Sequence, residues 1–224
     1  MTRSFDPTLY LVTDPELARG RALTDVVAAA VRGGATLVQL RDKHADGRTL
    51  LETAQALMAV LDLYGVPLIV NDRADVAHAA GAAGCHVGQR DLPAEAARAT
   101  LDPDAILGVS IDALEQADAI EEARDIDPAL VDYVAYGPFA ATATKPDAGD
   151  PVGAAGLAAV RRRTMLPLIA IGGIEARNVA EAVIAGADGI AVVRAIMAAE
   201  DPEAASRELR AAIDAAKAEV EKAV

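Results

Sequence analysis

A chain of 224 residues suits one domain and can hide roughly 70% of its unfolded surface. Its 34 Asp and Glu outnumber 21 Lys and Arg, for a net charge of −13, so first approach to nucleic acid or an anionic membrane is repulsive. The 53% hydrophobic content excludes wholesale disorder.

Short apolar runs alternate with Ala-rich helical patterns along the whole chain. The predicted strands are Leu9–Val12, Leu37–Leu40, Leu68–Val70, Cys85–Val87, Ile106–Val109, Tyr133–Tyr136, Leu168–Ile171 and Ile190–Val193. They are continuous rather than alternating, as parallel strands covered on both faces should be. Predicted helices include Thr24–Arg32, Thr49–Tyr64, Pro93–Thr100, Ala113–Arg124 and Asn178–Ala185. Thr24, Thr49, Asp112 and Asn178 suit N-caps by residue type. Gly33–Gly34, Gly65, Gly81 and Gly186 fall where a helix wants a left-handed residue to end it. Eight β-then-α units over about residues 9–200, closed by a helix over about 202–222, predict a single-domain α/β (β/α)8 TIM barrel spanning residues 1–224. A doubly wound sheet would call for a Gly-rich turn after the first strand, and there is none.

Neither a secretory signal at Met1–Pro7 nor a run of 18–20 apolar residues stands in the sequence. With Cys85 as the one cysteine, a reducing cytoplasm is the expected location. The acid-rich, Lys-poor composition fits a high-salt host, and equally a GC-rich genome. Outer barrel helices often pair, which leaves a homo-oligomer open.

In such a barrel the chemistry sits where strands end. The second strand ends Gln39-Leu40-Arg41-Asp42-Lys43, the third Asn71-Asp72-Arg73, the fourth His86-Val87-Gly88-Gln89 with Asp91 beyond, and the fifth Ser110. After the sixth come Gly137-Pro138-Phe139-Ala140-Ala141-Thr142-Ala143-Thr144-Lys145, after the seventh Gly172-Gly173, and at the eighth Val193-Arg194. Arg41, Lys43 and Lys145 offer positive charge to phosphate. Asp72 and Asp91, on neighbouring strands, suit one Mg2+, which takes one or two carboxylates and fills its shell with water and phosphate oxygens. Gly172-Gly173 adds unobstructed backbone N–H groups at the usual barrel phosphate position. These residues predict a diphosphate on one side of the mouth and a monophosphate on the other. His86, inside a strand, and Cys85, flanked by apolar residues, are expected to be structural. No Ser–His–Asp or Cys–His set is present, so the site is built for electrostatics rather than covalent catalysis.

The first six of these segments, in this order, resemble the thiamine phosphate synthase family, and the resemblance runs from about Leu9 to Met197. The resemblance implies a (β/α)8 enzyme that joins hydroxymethylpyrimidine diphosphate to thiazole phosphate with release of pyrophosphate. It implies that Gln39, Leu40, Arg41, Asp42, Lys43, Asn71, Ser110 and Lys145 bind the pyrimidine diphosphate. Asp72 and Asp91 would hold Mg2+, and Thr142, Ala143, Thr144, Gly173, Val193 and Arg194 would surround the thiazole phosphate. Lys145, Arg41, Lys43 and Ser110 are then the catalytic set, and the loop Ala140–Gly153 a candidate lid. Two positions depart from the family pattern. Arg194 stands where Ser is usual, and Ala140-Ala141 near where an aromatic residue is. The rival readings are a thiazole tautomerase of the same family, which needs a His at the mouth, and a non-catalytic binder of thiamine precursors.

Overall fold

The structure is a computed structural model, and it describes residues 4–142 and 149–223. Eight parallel strands close on themselves: β1 (Leu9–Val12), β2 (Leu37–Leu40), β3 (Leu68–Asn71), β4 (Gly84–Val87), β5 (Ile106–Ile111), β6 (Tyr133–Tyr136), β7 (Leu168–Ile171) and β8 (Gly189–Val192). Closure is made by β1, which pairs Tyr10 with Leu37 of β2 and Leu9 with Ile190 of β8. The fold is the TIM barrel expected, and each strand lies within two residues of its predicted bounds. Strand β3 takes in Asn71 and β5 takes in Ser110, whereas Val193 falls outside β8.

The continuous apolar runs are explained by two cores. Tyr10, Leu37, Ile69, Ile106, Tyr133 and Ile169 fill the barrel interior. Their strand neighbours Leu9, Leu11, Val38, Val70, Leu107 and Val134 point outward into the layer beneath the helices. A strand buried on both faces has no polar position to spare until its end. Cys85 belongs to the outer layer, where burial pushes its thiol up to about 12, an inert filler as expected.

The surrounding helices are α1 (Leu23–Arg32), α2 (Gly47–Leu61), α3 (Ala74–Ala80), α4 (Ala94–Thr100), α5 (Leu114–Ile126), α6 (Gly153–Arg161), α7 (Val179–Ile184), α8 (Arg194–Met197) and α9 (Pro202–Ala223). Three expected N-caps are corrected. Helix α1 starts after Ala22 rather than at Thr24. Asp46 caps α2 by accepting from the Thr49 N–H at 2.8 Å, so Thr49 is inside the helix. At α5 the cap is Ala113, and the Gln116 side chain reaches back to the N–H groups of Asp112 and Ala113 at 2.6 and 3.2 Å. Asn178 does stand at the N-cap of α7. Gly34, Gly65, Gly81 and Gly186 take positive φ, but Gly33 remains helical at −78°.

Helix α9 buries Leu209, Ile213 and Ala216, one stripe at spacings of four and three. It lies across the start and end of the barrel. Lys217 donates to the Thr8 hydroxyl at 2.9 Å, just before β1, and Arg32 pairs with Glu203 at 2.8 Å. Arg21 donates to the carbonyls of Met197 and Ala199 at 2.5 and 2.7 Å, satisfying the end of α8. Among the described residues, no helix is long and apolar enough to cross a membrane.

Candidate active site

The ends of β2, β3 and β4 bring Lys43, Asp72 and Asp91 together. The chain leaves β3 through a tight turn. The Asp72 N–H donates to the His86 carbonyl at 2.7 Å and the Arg73 N–H to the Asn71 carbonyl at 2.8 Å. Asp72 sits there at φ 64°, a left-handed conformation that Asp tolerates better than most residues. Its carboxylate pairs with the Lys43 ammonium, whose side chain is 48% exposed. Arg73 turns away to Asp75, with contacts of 2.8 and 2.6 Å, so its charge is spent on α3.

Asp91 is anchored by the Gly88 N–H at 2.8 Å. Burial raises its carboxyl above the usual range, as does the Asp72 carboxyl within hydrogen-bonding reach; the Gly88 N–H and Lys43 only partly oppose this. Two carboxylates that crowd one another, with the Lys43 ammonium as their cationic partner among the described residues, form a site short of positive charge. That donor set fits one Mg2+ held by two carboxylates.

Around this pair lie the other expected pyrimidine-side residues. Arg41 is half-buried, and its N–H donates to the Thr13 hydroxyl at 3.0 Å. The Leu40 side chain faces the outer layer, so it can meet a ligand only through its backbone. One Asp42 oxygen accepts from the N–H groups of His44 and Ala45 at 2.9 and 3.1 Å. Asp42 therefore shapes the loop and does not pair with Arg41. Asn71 ends β3 half-buried.

Gln39 and Ser110 face into the barrel, joined by Tyr10 and Tyr133, which sequence reasoning passed over, and by His86, which it read as structural. The Gln39 amide nitrogen donates to Tyr10 Oη at 2.7 Å, and Tyr10 Oη lies 2.9 Å from Tyr133 Oη. Tyr133 Oη is 3.0 Å from His86 Nδ1, and His86 Nε2 is 2.8 Å from Ser110 Oγ. Burial pushes both phenols up and pulls His86 down to about 4, so all three are neutral near pH 7. The signal for His86 was the period of two: Gly84 and His86 point inward while Cys85 and Val87 point outward.

A pH effect follows. An unfolded His takes up its proton near 6.5 and the folded one near 4, so this group's contribution is full above 6.5 and lost as pH falls toward 4. The loss is about 3 kcal/mol at pH 4. Urea unfolding of wild type and His86→Gln at pH 7 and pH 4 checks it: wild type should lose that much more than the variant.

Across the mouth, the segment after β6 lies on the end of β7. The Phe139 and Ala140 N–H groups donate to the carbonyls of Ile171 and Gly172 at 2.8 and 2.9 Å. Gly172 and Gly173 have φ of 94° and 65°, and a Cβ on Gly173 would meet the Ala140 carbonyl oxygen at 2.5 Å. Glycine is needed there on both counts. Asn178 Nδ2 holds the Gly173 carbonyl at 2.9 Å. Thr142 is half-buried; Ala143, Thr144 and Lys145 lie outside the described residues. Val193 precedes α8, and Arg194, its first residue, is exposed at the rim.

Comparison with known proteins shows the family. The family model described as thiamine monophosphate synthase matches residues 9–196. A thiamine-phosphate synthase of Azorhizobium caulinodans is 50% identical over 85% of this chain and 87% of its own length. One from Xanthobacter autotrophicus is 54% identical over 85% and 88%. The solved thiamine phosphate pyrophosphorylase of Pyrococcus furiosus superposes with a TM-score of 0.84 at 34% identity, covering 94% of this chain and 97% of that one. With its closed eight-stranded barrel and a match over nearly the whole of it, the chain belongs to the thiamine monophosphate synthase family.

Proposed function

We propose that this transferase condenses 4-amino-2-methyl-5-hydroxymethylpyrimidine diphosphate with 4-methyl-5-hydroxyethylthiazole phosphate, giving thiamine phosphate and pyrophosphate. The observation that carries the chemistry is the Lys43–Asp72–Asp91 cluster, two crowded carboxylates beside an exposed ammonium. Asp72 and Asp91 would hold Mg2+, which when bound supplies charge neutralisation to the departing pyrophosphate. Arg41 and Lys43 bind the diphosphate oxygens and stabilise the negative charge that grows on them. Gln39 and Ser110 seat the pyrimidine ring, whose amino group delocalises the positive charge left on its methylene. The Gly173 side of the mouth, with Arg194, holds the thiazole phosphate, so that the thiazole nitrogen faces that methylene.

No protein nucleophile is needed. A tautomerase would want a free His at the mouth. Both ring nitrogens of His86 are instead committed inside the barrel, His78 lies on α3, and His44, in the loop after β2, faces Glu16 at 4.0 Å. We place the reaction in the cytoplasm, where the free Cys85 stays reduced. The test is to mix the protein with both phosphorylated precursors, with and without Mg2+, and follow pyrophosphate. Release that depends on metal and on both substrates is expected, and its absence would overturn the reading.

Arg194 gives a narrower prediction. At an exposed rim position it can meet the thiazole phosphate as a fork of two N–H donors. Arg194→Ala should raise KM for the thiazole phosphate about 10-fold and leave KM for the pyrimidine diphosphate unchanged in steady-state assays. An unchanged thiazole-phosphate KM would remove Arg194 from that pocket.

A further inference from the structure

Gln39, Tyr10, Tyr133, His86 and Ser110 form one unbranched hydrogen-bonded chain through the barrel interior. Its two ends are expected pyrimidine-binding residues. Its three middle members, all buried, have no role in the chemistry set out above.

The sheet register makes the chain possible. His86 lies beside Gly108, and Gly108 beside Tyr133, in successive strands. A Cβ on Gly108 would fall 2.0 Å from Tyr133 Cζ and 2.3 Å from its hydroxyl. The missing side chain is what lets the two rings meet, with centroids 5.5 Å apart and planes at 23°.

The direction of the chain follows from counting protons. An amide nitrogen can only donate, so Tyr10 accepts from Gln39 and must send its own proton to Tyr133. Tyr133 then sends its proton to His86 Nδ1. A neutral imidazole with Nδ1 accepting carries its hydrogen on Nε2, which donates to Ser110 Oγ. A protonated ring would leave the Tyr133 proton with no acceptor. Every link thus points the same way, and reversing one means reversing all of them or burying two protons face to face.

We propose that Tyr10, Tyr133 and His86 are positioning residues that fix which hydrogen-bonding groups the barrel floor shows its ligand. Ser110 is held as a donor, its own proton turned outward, and Gln39 keeps its carbonyl oxygen for accepting. A donor at one end of the chain and an acceptor at the other suit a ring that carries both an amine and a ring nitrogen. That identification of the ligand rests on the proposed function; the polarity of the chain does not.

The experiment uses ligand-free full-length protein labelled with 15N-histidine. Imidazole nitrogen spectra should show His86, assigned by the signal lost in His86→Gln, as the Nε2–H tautomer. The Nδ1–H tautomer would overturn the proposal. Tyr133→Phe keeps the ring and removes the proton; it should mix the two tautomers and raise KM for the pyrimidine diphosphate about 10-fold, with kcat and the thiazole-phosphate KM nearly unchanged. Tyr10→Phe, a milder cut at the preceding link, should move the same two readouts in the same direction if Tyr133→Phe does not fold. A tautomer and KM unmoved by the folded variant would overturn the positioning role. A protein with Nε2–H His86 that released no pyrophosphate would instead overturn the functional reading alone.

Discussion

Asp91→Asn should lower Mg2+-supported pyrophosphate release by on the order of 100-fold or more, while the metal-free variant melts no lower than wild type. The substitution keeps an oxygen for the Gly88 N–H, which holds Asp91 at 2.8 Å, so the β4 loop retains its anchor. It removes a carboxyl that burial and Asp72 both force above its usual range, and so relieves a repulsion built into the empty protein. Stability and activity should therefore move in opposite senses, the mark of a residue kept for chemistry. Added Mg2+ should raise the melting temperature of wild type and do little for the variant. Two thermal scans and a pyrophosphate assay suffice. A variant that melted well below wild type would make Asp91 a loop anchor first.

The largest stability effect is expected at the opposite end of the barrel, where Asp132→Ala should cost about 3–5 kcal/mol, or a melting temperature lower by roughly 10 °C. The Asp132 side chain is 1% exposed, and one of its oxygens accepts from Arg98 at 2.6 Å and from the Leu107 N–H at 2.8 Å. Arg98 also donates to the carbonyls of Ala105 and Leu130 at 2.6 and 3.2 Å. One ion pair thus ties α4 to the entry of β5 and β6. Removing the carboxylate leaves a guanidinium and a backbone donor without their shared acceptor. Asp132→Asn should cost less, because its amide oxygen still serves Leu107. Below its melting transition either variant should keep normal KM values, since this face of the barrel binds no substrate. A fall in melting temperature of only a degree or two would show that water replaces the pair.

The barrel was legible in the sequence because parallel strands buried on two faces read as unbroken apolar runs, and the polar residues crowd where those runs stop. Lys43, Asp72 and Asp91 became visible for the same reason. The helix starts were not legible. Residue type alone favoured Thr24, Thr49 and Asp112, but the entry path of each loop set the start, at Ala22, Asp46 and Ala113. The interior chain was hidden for a different reason. Tyr10 meets Tyr133 across 123 residues of sequence and Gln39 across 29, and each tyrosine alone reads as one more apolar strand residue. His86 was rightly placed within a strand, but its inward direction and its link to Ser110 needed the barrel and its register.

The pairing of β1 with β8 has a consequence for synthesis on the ribosome. Until Ile190 emerges, Leu9 and its neighbours have no partner on that side, and a nascent chain carries an open strand edge through most of its translation. The last contact is also one of the longest in sequence, so its loop closure comes late. A chain that stalls short of β8 would offer that edge to chaperones or to other chains. Because the mouth draws residues from β2 to the end of β8, ligand competence should be acquired all at once, when the final strand docks.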